Sequence, residues 1–255
     1  MLGLIDIQRL ADCLFTAWRR RTPLVSPLLP DGIDEDDAYA IQDALIERLP
    51  GHMVGYKLGF TSPAMREQFG VPHPNYGQIC SMMQLQTPNV EIAEFIHPRV
   101  EPEIAVELAR PVAWPFDLMM IRSAIAAVYP ALEIVDSRFR DYRFHPLENT
   151  ADNSSAAAYR LGAARHPDEL GPLEAISVTL YRNGRTIDHG AGSDAFGNPL
   201  LAISWLAQSL SYRDRRLEKG QLILTGGLTR AYLAYEGDEF TADFGPLGTV
   251  TLSFS

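Results

Sequence analysis

The chain has 255 residues, 46% hydrophobic and 21% charged, which is enough to bury the core of an ordinary globular enzyme-sized protein. Its 32 acids against 22 Lys and Arg give a formal net charge of −10, so the basic field that nucleic acid or anionic lipid needs is missing. No apolar run reaches the ~18–20 residues of a membrane span, and acids come too early in MLGLIDIQRLADC for a signal peptide, so the expectation is a cytoplasmic protein without a membrane partner.

In chain order, residues 1–50 read as a helical region packed on a larger body. Leu4, Ile7, Leu10, Ala11, Leu14 and Phe15 recur at helix spacing, and Arg19, Arg20 and Arg21 mark a helix end rather than a binding patch. Pro23, Pro27 and Pro30 then form a link. Asp34 is placed to cap a second helix through DDAYAIQDALIERL, with Ala38, Ile41, Leu45 and Leu49 along one face and Pro50-Gly51 as its stop. Residues 51–255 read as a β-rich catalytic body, because short apolar runs are broken by Gly and Pro from Val54 onward. Two helices are expected within it, over residues 117–128 and 199–210, the second opened by Asn198 and Pro199. Asn183-Gly184 predicts a hairpin turn, and TADFGPLGTVTLSFS a closing strand pair. Cys13 and Cys80 have no metal-spaced partner and read as free buried thiols.

The chemistry is carried by acids in apolar strands. In RVEPEIAVEL, alternation sends Val100, Ile104, Val106 and Leu108 to one face and Glu101 and Glu103 to the other. That second face is either solvated or shared with a cation, since two like charges so close repel. Glu133, in YPALEIVDSR, is a third acid in a run too apolar for an exposed strand, and with the first two it offers three hard oxygen ligands suited to Mg2+ or Mn2+. Asp136 could instead be a ligand or pair with Arg138. Zinc is disfavoured because neither thiolates nor paired histidines lie nearby. Lys57, in GYKLGFTS, either snorkels from a strand end or serves as a buried cation for an anionic substrate or for proton exchange. Asp152, Asn153, Ser154 and Ser155 form a turn or a carboxylate-binding group, and the stretch from Thr225 to Thr229 could line a pocket with backbone amides. GAGSDAFG follows a hairpin strand rather than opening a βαβ unit, which argues against a dinucleotide site.

Taken together, DDAYAIQ, GYKLGFTS, PNYGQI, IHPRVEPEIAVEL, ALEIVDSR, TADNSS, LTGGLT and LGTV run in order from about residue 36 to 254, and in this the chain resembles the hydratase and decarboxylase branch of the fumarylacetoacetate hydrolase superfamily. The resemblance implies an α+β fold, a mixed β-roll with an N-terminal helical region and peripheral helices, assembled into homo-oligomers. It implies a Mg2+ or Mn2+ site at Glu101, Glu103 and Glu133, Lys57 and Asn75 as catalytic residues, and a small 2-oxo acid held by Ser155, Asn153, Thr229 and Gly227. Hydratases of the branch, acting on 2-hydroxypenta-2,4-dienoate, typically carry Asp where this chain has Asn75; the decarboxylases lack an acid there and share IHP and TGGLT. Decarboxylating a 2-oxo-3-enedioate needs an electron sink but no base, whereas hydration moves protons at carbon, where a positioned base contributes ~10²- to 10⁴-fold. The expected function is therefore metal-dependent decarboxylation of 2-oxohex-3-enedioate (4-oxalocrotonate) or a close analogue to 2-hydroxypenta-2,4-dienoate and CO2, with a complex with a hydratase as a candidate partnership. The alternatives are 2-keto-4-pentenoate hydratase activity, with His73 or a metal-bound water in place of the missing base, and a catalytically silent binding protein.

Overall fold

The computed structural model describes residues 2–63, 66–67 and 70–255. Helix α1 (Leu4–Arg20) buries Leu10, Ala11, Leu14 and Ala17 and stops where Arg21 turns left-handed. Helix α2 (Glu35–Ile46) starts at a reciprocal cap, in which Asp37 N–H donates to Asp34 Oδ1 at 2.9 Å and Asp34 N–H to Asp37 Oδ2 at 3.4 Å. It ends earlier than the sequence suggested. Arg48 and Leu49 bond back three residues, to Leu45 and Ile46, so a tighter turn carries the chain to Pro50 and Leu49 lies outside the helix.

The body is α+β, as expected, and is built on two mixed sheets. One runs β2 (Asn75–Cys80), β1 (Met53–Gly59), β9 (Leu222–Gly227), β4 (Arg99–Leu108), β5 (Ile125–Val135), β6 (Ala156–Leu161), with β10 (Tyr232–Leu233) also on β4. The other runs β3 (Asn89–Val90), β12 (Thr249–Phe254), β11 (Glu239–Asp243), β7 (Ser177–Arg182), β8 (Arg185–Ala191). The pairs β1–β9 and β12–β3 are parallel and the others antiparallel. Val100, Ile104, Val106 and Leu108 join Phe240, Leu252 and Phe254 in the core between the sheets. Burial of such side chains, at about 25 cal/mol per Å2 of apolar surface, fixes which way β4 faces.

A helix does form at the start of the expected span, α3 (Leu118–Ser123), capped by Asp117, but it does not continue to residue 128. From Ile125 the chain is β5, paired with β4 from Leu108↔Ile125 to Arg99↔Val135. The two alanines at 126 and 127 favour a helix locally, yet the long ladder and the buried Val128, Leu132 and Ile134 outweigh that preference. Two further helices are α4 (Pro146–Ala151) and α5 (Pro199–Ser211), the latter capped by Asn198 Oδ1 accepting from Leu200 N–H at 2.8 Å. Asn183, at φ 52, opens the expected β7–β8 turn, and β11 and β12 close the chain as a pair. Both cysteines are free, Cys80 buried and Cys13 only half-buried. Among the described residues, no helix is long and apolar enough to cross a membrane.

Candidate active site

The register of β4 and β5 sets Glu101 directly opposite Glu133, with Glu103 two residues along on the same face. One oxygen from each of the three carboxylates lies within 4.8 Å of the others. This face is not solvated: Glu103 and Glu133 are buried, and Ala105, Ala131, Tyr159 and Leu224 form a second apolar cluster beside them. Gly227 makes room, because a Cβ there would fall on the Glu101 carboxylate. The register of β4 against β9 shifts between Glu103 and Ala105, and Gly226 N–H is turned to donate to Glu103 Oε2 at 2.8 Å.

Lys57, on β1, is the local counter-charge. Its Nζ is 3.2 Å from Glu133 Oε2 and donates to the Ser154 carbonyl at 3.1 Å. Burial alone would lower its pKa, but the charges of Glu133, Glu101 and Glu103 hold it above the ordinary lysine value. Burial pushes all three acids up. Glu101 rises to about 7, with Lys57 the main opposing influence; Glu103 rises well above the usual range, with Glu133 adding repulsion; Glu133 rises too, against the pull of Lys57. One ammonium cannot balance three carboxylates, and Glu103 Oε1 is buried without a hydrogen-bond partner. The all-oxygen donor set, the excess negative charge and the orphaned oxygen together fit a hard divalent cation such as Mg2+ or Mn2+.

A cavity of about 420 Å3 opens over Lys57 and Glu101, within the ~300–1,000 Å3 span of small-molecule sites. Arg99 and Arg230 both contribute to its wall. Arg99 belongs to the same alternation as Glu101, so its place on this face was readable from RVEPE. Its guanidinium stacks 4.2 Å from the Tyr142 ring centre, and its Nε is buried without a partner. Tyr142 is fixed in turn by a 2.8 Å bond from its hydroxyl to the Val135 carbonyl. Asp136 takes neither role the sequence left open. Its carboxylate accepts the Ile96 and His97 N–H groups, each at 2.8 Å, while Arg138 pairs with Asp152.

Ser155 lines the cavity at the end of a left-handed run, Asn153–Ser155, with φ of 52, 51 and 58. Asn153 lies behind the cavity wall rather than in it. Its Oδ1 accepts from Gln78 N–H at 2.7 Å and its Nδ2 donates to the Gln78 carbonyl at 2.8 Å, a two-point clamp on β2. Thr229 is also outside the lining, its hydroxyl donating to the Arg230 carbonyl at 3.0 Å. Asn75 borders a second, smaller cavity of about 210 Å3 with His73, and its amide is engaged by protein groups. Its Nδ2 donates to Asn149 Oδ1 at 2.9 Å and Thr150 Oγ1 at 3.0 Å, and its Oδ1 accepts from the Ser154 hydroxyl at 3.0 Å. Asn149, which lines the main cavity, carries no motif signal of its own; only the packing of α4 against residues 153–155 brings it there.

The fumarylacetoacetate hydrolase C-terminal model matches residues 70–254, and the chain belongs to that family. Within it, the chain is 33% identical over 223 residues to a 4-oxalocrotonate decarboxylase of Pseudomonas putida, covering 86% of this chain and 84% of that protein. It is equally 33% identical, over 252 residues, to a 2-keto-4-pentenoate hydratase of Paraburkholderia xenovorans, covering 96% and 93%. The 4-oxalocrotonate decarboxylase from Pseudomonas putida G7, solved with magnesium and adipate, superimposes with a TM-score of 0.95 over 100% of this chain and 99% of that one, at 29% identity. The fold is therefore the mixed β-roll of this family, in an enzyme branch whose named members include both activities.

Proposed function

We propose that the protein is a divalent-metal-dependent carboxy-lyase that converts 2-oxohex-3-enedioate, or a close analogue, to 2-hydroxypenta-2,4-dienoate and CO2. The observation that carries this reading is the pair of arginines, Arg99 and Arg230, in the wall of the cavity that Lys57 and Glu101 line, with Glu103 and Glu133 buried beside Glu101. A diacid needs a counter-charge at each end; the shorter hydratase substrate has a single carboxylate. Adipate, bound with magnesium in the similar decarboxylase, is likewise a six-carbon diacid.

Glu101, Glu103 and Glu133 would hold Mg2+ or Mn2+, which when bound supplies Lewis-acid stabilisation of charge developing on a 2-oxo acid. Lys57 keeps a proton and a positive charge at the cavity floor, because its three acidic neighbours hold it in the ammonium form. Ser155 offers a hydroxyl to the same end of the substrate. Arg99 and Arg230 orient the distal carboxylate, from which CO2 departs, and the Phe60 and Phe144 side of the cavity limits water around it. Asn75 brings no base, and the reaction asks for none at that position.

The alternative reading, hydration of 2-hydroxypenta-2,4-dienoate, draws support from the equal identity to a hydratase over nearly the whole chain. Assembly as a homo-oligomer, and association with a hydratase that takes up the unstable dienol, are part of the proposal. The test is direct: purified protein with Mg2+ and 2-oxohex-3-enedioate is expected to release CO2 stoichiometrically. No CO2 release, together with rapid hydration of the dienol, would replace the decarboxylase reading with the hydratase one.

A further inference from the structure

We infer that the Asn75 side-chain amide sets the direction of the Ser155 hydroxyl, acting through Asn149, so that Ser155 presents its proton to an anionic ligand in the cavity. Asn75 is thus a positioning residue. The inference deepens the proposed function and rests on it for the ligand, a 2-oxo acid carboxylate.

The argument is one of donors and acceptors. The Thr150 hydroxyl donates to the Pro146 carbonyl at 3.4 Å, so its oxygen is the acceptor toward Asn75 Nδ2 at 3.0 Å. The Ser154 hydroxyl, on the other side, donates to Asn75 Oδ1 at 3.0 Å. In this arrangement the amide nitrogen faces Thr150 and the amide oxygen faces Ser154. Asn75 Nδ2 then also donates to Asn149, which must offer Oδ1, at 2.9 Å, and so turns its own Nδ2 to Ser155 Oγ at 3.0 Å. Since Oγ accepts from Asn149, the Ser155 proton remains free to be donated, and Ser155 faces the cavity beside Lys57 and Glu101. A Cβ on Gly59 would fall on both Ser154 Oγ and Asn75 Oδ1, so the backbone already presses against the network, and Asn75, Asn149 and Ser155 are all buried.

A carboxylate at residue 75 reverses the chain with almost no change of shape. Having only acceptors, it draws the Asn149 Nδ2 toward itself; Asn149 then shows its oxygen to Ser155, and the serine proton is consumed inside the wall. The difference between an amide and an acid at this position is therefore felt in the cavity as a donor gained or lost, two side chains away.

The experiment is a double-mutant cycle on the whole protein, using calorimetric binding of oxalate in saturating Mg2+. Asn75→Asp and Ser155→Ala are each expected to weaken oxalate about tenfold, as loss of a hydrogen bond to a charged acceptor does. In the Ser155→Ala background, Asn75→Asp should cost severalfold less, the remainder being repulsion from the new charge. The same loss in both backgrounds, or no loss from Asn75→Asp alone, would overturn the relay. Asn149→Asp, which forces Ser155 to donate inward while leaving Asn75 in place, should give the same Ser155-dependent loss and serves if Asn75→Asp does not fold. Wild-type protein that binds Mg2+ but not oxalate would instead overturn the 2-oxo acid reading and the relay with it, whereas oxalate binding with an additive cycle removes the relay alone.

Discussion

A guanidinium stacked on an aromatic ring, with a buried Nε left unpartnered, is prepared to receive an anion, and Arg99 is in that state beside the carboxylate cluster. Its expected contribution has a direction. In the proposed decarboxylation, negative charge leaves the departing carboxylate as its C–C bond breaks, so a contact with it is stronger in the bound substrate than in the transition state. Replacing Arg99 with Leu should therefore raise KM for the diacid by about ten- to a hundredfold while changing kcat only a few-fold, the signature of lost substrate binding. Steady-state kinetics on 2-oxohex-3-enedioate, with oxalate inhibition as a control that lacks the distal carboxylate, checks this. A fall in kcat with unchanged KM would place Arg99 in the chemical step instead. Its position was legible, since the alternation that puts Glu101 and Glu103 on one face puts Arg99 there as well. The place of Asn149 was not, because it depends on how α4 docks against a distant loop.

At the scale of elements, the site depends on a segment that would not hold its shape alone. Three consecutive left-handed residues, Asn153–Ser155, each carry a backbone penalty of about 1–2 kcal/mol, and only cross-links to other elements sustain them. Asn153 clamps β2 through Gln78, Lys57 from β1 holds the Ser154 carbonyl, Asp136 N–H donates to the Ser155 carbonyl at 2.8 Å, and Asn149 from α4 holds the Ser155 hydroxyl. Asn153→Ala removes both clamp bonds and leaves Gln78 backbone groups unsatisfied in the interior. A loss of about 2–4 kcal/mol is expected from two unmade buried hydrogen bonds, read as a lower urea midpoint with unchanged slope. The midpoint of wild type would show that the clamp is not what sustains the segment. Sequence reasoning recognised TADNSS as polar and turn-forming but could not see this conformation, because nothing local favours it. The misread helix at residues 117–128 has the same origin: Ala126 and Ala127 state a local preference, and the pairing of β5 with β4 overrides it.

In the whole molecule, helix α2 is hydrogen-bonded to the elements that carry the site. Gln42 on α2 donates to the Tyr76 carbonyl of β2 at 3.0 Å and the Thr150 carbonyl of α4 at 2.7 Å, tying the helices to the strand and helix that carry Asn75 and Asn149. A fold so connected reports the state of its carboxylate cluster in its global stability. The folded-state pKa values of Glu101, Glu103 and Glu133 lie above their unfolded values, so ionising them in the metal-free protein favours unfolding; that penalty is present above the folded pKa and fades as pH falls, for Glu101 through about 7. Asp152, raised to about 6 by burial, acts in the same sense at lower pH, whereas His97, lowered by burial, removes stability as acid protonates the unfolded chain. These last two contributions are common to the metal-free and metal-bound protein and cancel in their difference. A divalent ion binds the ionised carboxylates, so the rise in Tm from EDTA to saturating Mg2+ should be small near pH 5.5 and grow through pH 7 toward pH 8.5. Glu103→Gln should raise the Tm of the metal-free protein at pH 8 by about 2–4 °C for each kcal/mol of repulsion relieved, and should largely abolish the Mg2+ effect. A Mg2+ shift that is independent of pH, or that survives Glu103→Gln, would mean that the ion binds somewhere other than between these three side chains.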